Sequence, residues 1–323
     1  MASTVLIRDL RDGEQILRFF ELRAKTLRKT RGGKTYLDLR LGDSSGEIMA
    51  KLWPEALQKW GEEFDLGDIV KVEGRTEMFK DRSQLIVDKI RKAEESEVPD
   101  ISEIIRTTHC NVDEVFGRMV QLVETIKPTE LSNFVLEILE RVCDQFKSAP
   151  AAKMIHHAYK GGLIEHTWSV VLKVLAILET EPKINRSIAI SGAILHDIGK
   201  LQELAMGTRS RTLEGRLIGH VILGATFLRT VALELGLEDE PWLIELQHIL
   251  LSHHGEPEFG APVRPFTREA ILVHFVDNLD SRLKIMDEAL ESVDSDGFSQ
   301  YNKWLEGRAY NGADLEPLEE KNV

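Results

Sequence analysis

The chain has 323 residues, of which 42% are hydrophobic, and this is enough apolar material for the cores of two ordinary domains. Its two cysteines are too few for a disulfide framework, and no apolar run approaches the ~20 residues that span a bilayer, so we expect a cytoplasmic protein with no membrane partner. The net charge of −13 excludes a protein that is basic throughout.

The charge is distributed unevenly along the chain. Residues 1–92 carry a net charge of +3, whereas the remainder carries −16. Only the first part has the sign that attracts phosphates over a distance. We therefore expect the two parts to have different electrostatic roles.

The first part alternates apolar and charged residues with the two-residue period of β-strands. Strands are predicted at 15–25, 34–42, 47–53, 68–79 and 84–91. A short helix is predicted between the third and fourth strands, at 55–61. Five short strands with a helix at this place resemble an OB-fold, a small barrel that commonly holds single-stranded nucleic acid.

A basic run lies where the first two strands of such a barrel would connect, at a loop that grips the bound strand in OB-folds. It contains no acidic residue and includes Arg23, Lys25, Arg28, Lys29, Arg31 and Lys34. We predict that these residues bind substrate, and a solvated charged hairpin is the alternative. Tyr36, Trp53 and Phe79 are candidates for stacking on bases, with packing in the core as the alternative for each.

Residues 92–100 lose all periodicity and indicate a linker. The predicted domains are an OB-fold nucleic-acid-binding domain at 1–92, a linker at 93–105 and an all-helical domain at 106–323. Beyond the linker, helices are predicted at 111–126, 129–146, 184–198, 217–235, 241–251 and 267–290. The predicted fold class is therefore multidomain, with a small all-β OB-fold barrel followed by an all-α domain.

The last predicted helix and the tail after it carry many apolar and aromatic residues. In that helix we expect a stripe to face the core, formed by Ile271, Leu272, Phe275, Val276, Leu279 and Leu283. In the polar tail, Trp304, Arg308 and Tyr310 are predicted to dock back on the domain.

The helical part also carries a series of metal-binding residue types in the order H…HD…H…HH…D. The series is His166, His196, Asp197, His220, His253, His254 and Asp277. Imidazoles and carboxylates suit transition ions such as manganese, iron, cobalt or zinc, whereas calcium and magnesium prefer all-oxygen ligands. The pattern predicts a site for one or two such ions.

Two residues near the predicted metal site, His254 and Lys200, are predicted to act on the substrate. Adjacent histidines on a helix point about 100° apart. We therefore assign His253 to metal, and His254 either to substrate or to a position that orients the metal ligands, and leave open which of the two is the ligand. Lys200 is predicted to reach a substrate phosphate, and compensation of a helix dipole is the alternative.

Other nearby residues have supporting roles or none. His274 and Asp280 are predicted to orient metal ligands through hydrogen bonds, with a purely structural bond as the alternative for Asp280. His156, His157 and Lys160 either contact a terminal nucleotide or lie on a helix surface.

Four strings in the helical part together resemble the HD superfamily of metal-dependent phosphohydrolases, an all-helical fold. They are Gly161–Thr167, Leu195–Lys200, Ile249–Gly255 and His274–Asp280. His220 and the His253–His254 pair resemble the two-metal members of that superfamily. With the barrel in front, residues 15–290 are similar to the YhaM family of bacterial 3'-to-5' exoribonucleases.

This resemblance implies hydrolysis of phosphodiester bonds from the free 3' end of single-stranded RNA to 5'-mononucleotides, with single-stranded DNA as an alternative substrate. The ions would be two divalent ions, with manganese first and iron, cobalt or zinc as alternatives. We expect His166, His196, Asp197 and Asp277 to hold one ion, and Asp197, His220 and His253 to hold the second. Such a pair can hold a hydroxide and clamp a phosphate, while Lys200 and His254 neutralise the developing charge.

Two rival functions use the same residues. A nucleotide phosphohydrolase or a cyclic-nucleotide phosphodiesterase could run on the same metal set, although a small nucleotide needs no strand-binding barrel. A non-catalytic nucleic-acid-binding module with a structural metal is the second rival. Assembly into a homo-oligomer is left open.

Overall fold

The computed structural model of the chain describes residues 6–61, 63–79, 82–98, 103–104, 107–108, 110–151, 159–204, 211–290, 293 and 296–312. His156 and His157, which were predicted to contact a nucleotide, lie outside these residues. Among the residues that are described, no helix is both long and apolar enough to cross a membrane.

The N-terminal part is a five-stranded closed barrel. Its strands are β1 (Gln15–Lys29), β2 (Thr35–Asp43), β3 (Gly46–Leu52), β4 (Ile69–Phe79) and β5 (Arg82–Lys92). Their order around the barrel is β1-β2-β3-β5-β4, and all neighbours are antiparallel except β3 and β5. Helix α1 (Pro54–Trp60) follows β3. The predicted OB-fold is confirmed.

The alternation of side chains in the sequence accounts for the interior of the barrel. Leu37, Leu39 and Leu41 on β2 are fully buried, and so are Ala50 and Leu52 on the neighbouring strand β3. Successive residues of a strand point to opposite faces, so each second residue fills the core. Pro54 then stops the ladder and begins α1, where a missing N–H costs nothing.

Strand β1 is longer than predicted. Residues up to Lys29 pair with β2, with Leu27 opposite Leu37 and Lys29 opposite Thr35. Most of the basic run is therefore strand, and only Arg31 and Lys34 lie in the connecting turn. Strand pairing has overridden the turn signal of the charged residues, because the pairing register places Leu27 opposite a core residue.

The C-terminal part is helical, as predicted. Its helices are α2 (Val112–Glu124), α3 (Thr129–Ser148), α4 (Gly162–Leu178), α5 (Arg186–Leu195), α6 (Lys200–Glu203), α7 (Leu213–Leu217), α8 (His220–Leu235), α9 (Pro241–Ser252) and α10 (Arg268–Leu290). Helix α5 packs on α4, α9 and α10, while α8 packs on α9. One continuous apolar core lies between them.

The predicted core stripe of α10 is partly wrong. Leu272 and Val276 are buried, but Ile271, Phe275, Leu279 and Leu283 are exposed, Phe275 by 65%. The face that turns inward also carries the polar residues Asp277 and Asp280. Apolar residues therefore lie on both faces of α10, because part of its inward face is taken by the polar groups that point to a site.

Gly199 allows the turn after α5 to touch the start of α8. A Cβ atom built on Gly199 would lie 2.0 Å from the carbonyl oxygen of His220 and 2.5 Å from the backbone nitrogen of Gly224. Both atoms belong to the backbone and cannot move aside cheaply. This contact brings Asp197 and His220 close together.

We expect Gly199→Ala to lower the free energy of unfolding by about 1–3 kcal/mol, because the added methyl group overpacks the contact. It should also weaken metal binding. Gly117→Ala is a matched control, because Gly117 lies within α2 with nothing within 4 Å of its Cβ position, and it should stabilise the protein by up to about 1 kcal/mol. Urea unfolding and calorimetric titration with manganese measure both effects. Equal stability of the two variants would show that this contact is not required.

Candidate metal centre

The predicted metal ligands come together from five separate places in the helical core. His166 lies in the first turn of α4, and His196 directly follows α5. His220 is the first residue of α8, because Gly219 adopts a φ of 81° and separates α7 from α8. His253 directly follows α9, and Asp277 lies within α10. Side chains at helix ends are not covered by a further turn, so they can face a shared cavity.

The first group of ligand atoms surrounds the Nε2 atom of His166. This atom lies 3.1 Å from Oδ1 of Asp277, 3.5 Å from Oδ2 of Asp197 and 3.3 Å from Nε2 of His196. His196 Nε2 is also 3.4 Å from Oδ2 of Asp197. Two imidazoles and two carboxylates thus point their ligand atoms at one small volume.

The second group consists of His220, His253 and His254, whose ligand atoms lie within 4.8 Å of one another. Asp197 faces this group with its other oxygen. Its Oδ1 atom is 3.5 Å from Nε2 of His220 and 3.6 Å from Nε2 of His253. Asp197 therefore lies between the two groups, with one carboxylate oxygen directed at each.

Four buried atoms in this second group have no hydrogen-bond partner within the described part of the chain. They are Asp197 Oδ1, His220 Nε2, His253 Nε2 and His254 Nδ1. A buried polar atom without a partner costs about 1–3 kcal/mol, so four together are unexpected in a folded core. A divalent transition ion would satisfy all four, and nitrogen with carboxylate oxygen is the donor set that such ions prefer. The residues present therefore fit a metal.

The opposite nitrogen of each ligand imidazole is already engaged. The Nδ1–H groups of His196 and His253 donate to the carbonyl oxygens of Ala193 and Leu250, both at 2.8 Å. Because these partners can only accept, the tautomer is fixed, and each Nε2 lone pair points toward the cluster. The ligands are oriented before any ion arrives.

Two carboxylates orient the remaining imidazoles. Nδ1–H of His220 donates to Glu203 at 2.8 Å, and Nδ1–H of His166 donates to Asp280 at 2.7 Å. The predicted orienting role of Asp280 agrees with this contact. Glu203 was not predicted, and the only signal in the sequence is an acidic residue six positions after Asp197 in a segment that proves to be buried.

Asp280 is itself held by two residues of α4 that the sequence analysis missed. Its Oδ1 atom accepts hydrogen bonds from the hydroxyl of Ser169 and, at 2.8 Å, from the ammonium of Lys173. The Lys173 ammonium offsets part of the cost of burying this carboxylate. Farther along the same surface, Nδ1–H of His274 donates to the carbonyl of His253 at 2.7 Å, which fixes the end of α9 against α10.

The electrostatic setting keeps the carboxylates ionised. Burial alone would raise the pKa of Asp197, but the Lys200 ammonium and His196 hold it well below its usual value. For Asp277, burial acts in the same direction and is outweighed by the hydrogen bond from His166 and the charges of nearby histidines, so its pKa is also lowered. Both carboxylates are available as anionic ligands at neutral pH.

The imidazoles differ in their protonation. Burial lowers the pKa of His253 and His254, so both are neutral and ready to ligate at pH 7. Burial would also lower the pKa of His166, but its hydrogen bonds with Asp197, Asp277 and Asp280 raise it well above its usual value. His166 is therefore protonated at neutral pH. A cation bound among the carboxylates would replace that proton.

Two predicted substrate contacts lie at different distances from these groups. Lys200 begins α6 and places its ammonium 2.5 Å from Oδ2 of Asp197. Lys160 has an exposed side chain, and its backbone pairs with Thr107 at the end of the linker. No contact between its side chain and the cluster appears among the described residues.

In the barrel, two of the six predicted basic residues have structural roles. The guanidinium of Arg23 is only 11% exposed and contacts Glu21 at 2.8 Å and the carbonyl of Asp43 at 2.9 Å. The Lys25 ammonium donates to the carbonyl of Phe64. Their contacts hold the barrel together and leave them poorly placed to bind a strand. The other four are exposed: Arg28, Lys29, Arg31 and Lys34.

The outer face of β2 and β3 carries aromatic rings beside cations. The rings of Tyr36 and Trp53 lie 5.0 Å apart, and the Lys51 ammonium lies 5.4 Å from the centre of the Tyr36 ring. Trp53 is partly exposed, and Phe79 is exposed at the end of β4. Such a surface suits the stacking of unpaired bases.

Comparison with known proteins agrees with both halves of the structure. Residues 163–282 match the family model described as an HD domain, and residues 21–93 match the one described as an OB-fold nucleic acid binding domain. The chain is 34% identical over 311 residues to the 3'-5' exoribonuclease YhaM of Bacillus pumilus (strain SAFR-032) and 33% identical to that of Bacillus subtilis (strain 168). Each alignment covers 96% of this chain and 98% of the relative.

We expect Asp280→Asn to weaken binding of the first metal ion by about 10–100-fold, because His166 would lose the charged acceptor that orients it. Asp287→Asn is the matched control, since Asp287 is an exposed carboxylate on the same helix. Isothermal titration with manganese, together with a melting curve of the metal-free protein, separates lost affinity from lost folding. Equal affinity in the two variants would contradict the orienting role.

Proposed function

Since the chain belongs to the YhaM family of 3'-5' exoribonucleases, we propose that it removes nucleotides one at a time from the free 3' end of single-stranded RNA. The observation that carries this is the position of Asp197. Its two carboxylate oxygens face two groups of ligands whose unpartnered atoms fit divalent cations. The metal dependence of the enzyme follows from the same arrangement.

The structure supports two ions with a revised set of ligands. His166, His196, Asp197 and Asp277 would hold the first, as the sequence suggested. For the second, we add His254 to Asp197, His220 and His253, because its Nδ1 atom is buried and unpartnered beside the other two imidazoles. Manganese is the proposed ion, and iron, cobalt and zinc fit the same donors. When bound, such a pair activates water and stabilises the attacking and leaving oxygens of an in-line displacement.

The residues of the chain itself prepare the site for a phosphate. Lys200 provides an ammonium beside Asp197 that can bind a non-bridging oxygen of the scissile phosphate. Asp280 and Glu203 hold His166 and His220 in the orientation that exposes Nε2. Because His253 and Asp197 are almost completely buried, bulk water has little access to the inner side of the site.

Capture of the RNA is the role proposed for the barrel. The acidic helical part attracts cations but repels a polyanion, whereas residues 1–92 have a net positive charge. Tyr36 and Trp53 offer rings for unpaired bases, with Lys51 and Arg28 beside them for phosphates. Activity on long RNA should therefore fall steeply with salt. Single-stranded DNA offers the same bases and phosphates, so we include it as a second substrate to be tested.

His254 is tested through the number of ions bound. We expect His254→Gln to weaken the second ion selectively, because that site loses one nitrogen donor while the first site keeps all its ligands. His248→Gln is the matched control, since His248 accepts a hydrogen bond from the Phe266 backbone and lies outside both groups. Metal analysis after dialysis gives the stoichiometry. Two tightly bound ions in His254→Gln would return His254 to a substrate-binding role.

The reaction is tested with 5'-end-labelled RNA and DNA strands and manganese-loaded protein. We expect progressive shortening from the 3' end with release of 5'-mononucleotides, and a loss of at least about a hundredfold in Asp197→Asn, because both ions lose a shared ligand. Asp239→Asn, which removes an exposed carboxylate between α8 and α9, should keep full activity.

Other products would contradict the proposal. Inorganic phosphate released from free nucleotides would indicate a nucleotide phosphohydrolase. Undiminished activity in Asp197→Asn would exclude the metal centre as the catalytic site, and RNA binding without cleavage would indicate a binding module.

A further inference from the structure

The segment that follows α10 forms a small antiparallel hairpin, residues 296–312, which we call the aromatic hairpin. Ser299 N–H donates to the carbonyl of Ala309 at 2.8 Å, and Asn302 N–H donates to that of Gly307 at 2.8 Å. The turn between them is held by the side-chain oxygen of Asn302, which accepts from the backbone N–H of Trp304. The hairpin is thus ordered by its own hydrogen bonds.

One face of the aromatic hairpin is buried and the other carries rings. Ser299 and Ala309 are almost fully buried. Phe298 and Tyr310 are paired across the ladder, so they share the opposite face, and their ring centroids are 4.8 Å apart. Tyr310 is 59% exposed. The predicted docking of this ring onto the domain is therefore wrong, since the ladder turns Ser299 and Ala309 inward instead.

Cations lie directly against the exposed rings. The Lys303 ammonium lies 4.6 Å from the centre of the Trp304 ring, and the Arg308 guanidinium, which is paired with Asp296 at 3.0 Å, lies 5.3 Å from that of Phe298. Trp304 is 48% exposed and Tyr301 is 68% exposed at the turn. Rings interleaved with cations are the surface that unpaired nucleotides prefer, since bases stack on the rings and phosphates meet the charges.

The aromatic hairpin follows α10 in the chain, and the second half of α10 passes the end of the linker. Two contacts place the second half of α10 beside the start of α4: Asp280 contacts His166, and Lys284 contacts Glu165. Thr108, at the end of the linker, also contacts Glu165. From Asp277 to the end of α10 is about 20 Å at 1.5 Å per residue, and the hairpin follows there.

We propose that the aromatic hairpin is a second contact for single-stranded RNA, which stacks unpaired bases of the strand on Trp304, Tyr301 and Tyr310. This rests on the proposed function, because it assumes an RNA substrate. Within the hairpin, Lys303 and Arg308 balance Asp296 and Glu306, so this stretch is neutral in a domain that is otherwise acidic and repels a strand less than its surroundings do.

The test measures RNA binding without cleavage. Full-length protein in EDTA is titrated into labelled single-stranded polyadenylate, and fluorescence anisotropy gives the Kd. We expect Trp304→Ala to raise the Kd by about 5- to 100-fold, the equivalent of losing one stacked base. Trp304→Phe keeps a ring and should retain most of the affinity. Phe266→Ala removes an even more exposed ring outside the hairpin, 79% against 48% for Trp304, and should leave the Kd unchanged.

Two further measurements make the result specific. Hydrolysis of a dinucleotide, which is too short to reach the hairpin, should be the same in Trp304→Ala and in the unmodified protein. Light scattering should show the same mass for both. An unchanged Kd in Trp304→Ala would overturn the proposal. If the mass changed while the Kd did not, the hairpin would be a protein interface instead. If the unmodified protein cleaves no RNA at all, the proposed function fails, whereas the Kd values still decide the role of the hairpin.

Discussion

The site depends on one carboxylate, that of Asp197, reaching two groups of imidazoles at once. The side chain is short, so the turn after α5, the first residue of α8 and the end of α9 must all lie within a few ångströms of it. Only a residue without a side chain at position 199 permits that approach. The large apolar core then serves to hold the ends of α5, α8 and α9 and one face of α10 at fixed distances.

The residues that converge in the cluster could be predicted from the sequence, whereas most of those that orient them, Asp280 excepted, could not. His196 and Asp197 follow an apolar helix and a glycine, a local pattern that places them at a helix end wherever the helix lies. The partners of these ligands are set by tertiary packing. Glu203, Ser169 and Lys173 carry no local signal, because each becomes meaningful only when its helix is placed against another.

The difference between local sequence pattern and tertiary packing also explains which predictions were wrong. The order of strands and helices follows from hydrophobic period, which the chain shows clearly, so the OB-fold barrel and the helical domain were predicted correctly. Which basic residues face solvent was not, because Arg23 and Lys25 find acceptors on neighbouring segments that are remote in sequence. On α10, apolar residues lie on both faces, and the inner face combines Leu272 and Val276 with Asp277 and Asp280.

The imidazole rings of the cluster are held in orientation by the protein itself, without an ion. Carbonyl groups and carboxylates accept hydrogen bonds from the Nδ1 atoms of His196, His253, His166 and His220. The arrangement of ligand atoms therefore exists before an ion binds. Binding then requires no folding step that would discriminate between manganese, iron, cobalt and zinc. Nitrogen and oxygen donors of this kind accept all four. The donors alone would not fix the ion, so its availability in the cell would contribute to which one the site holds.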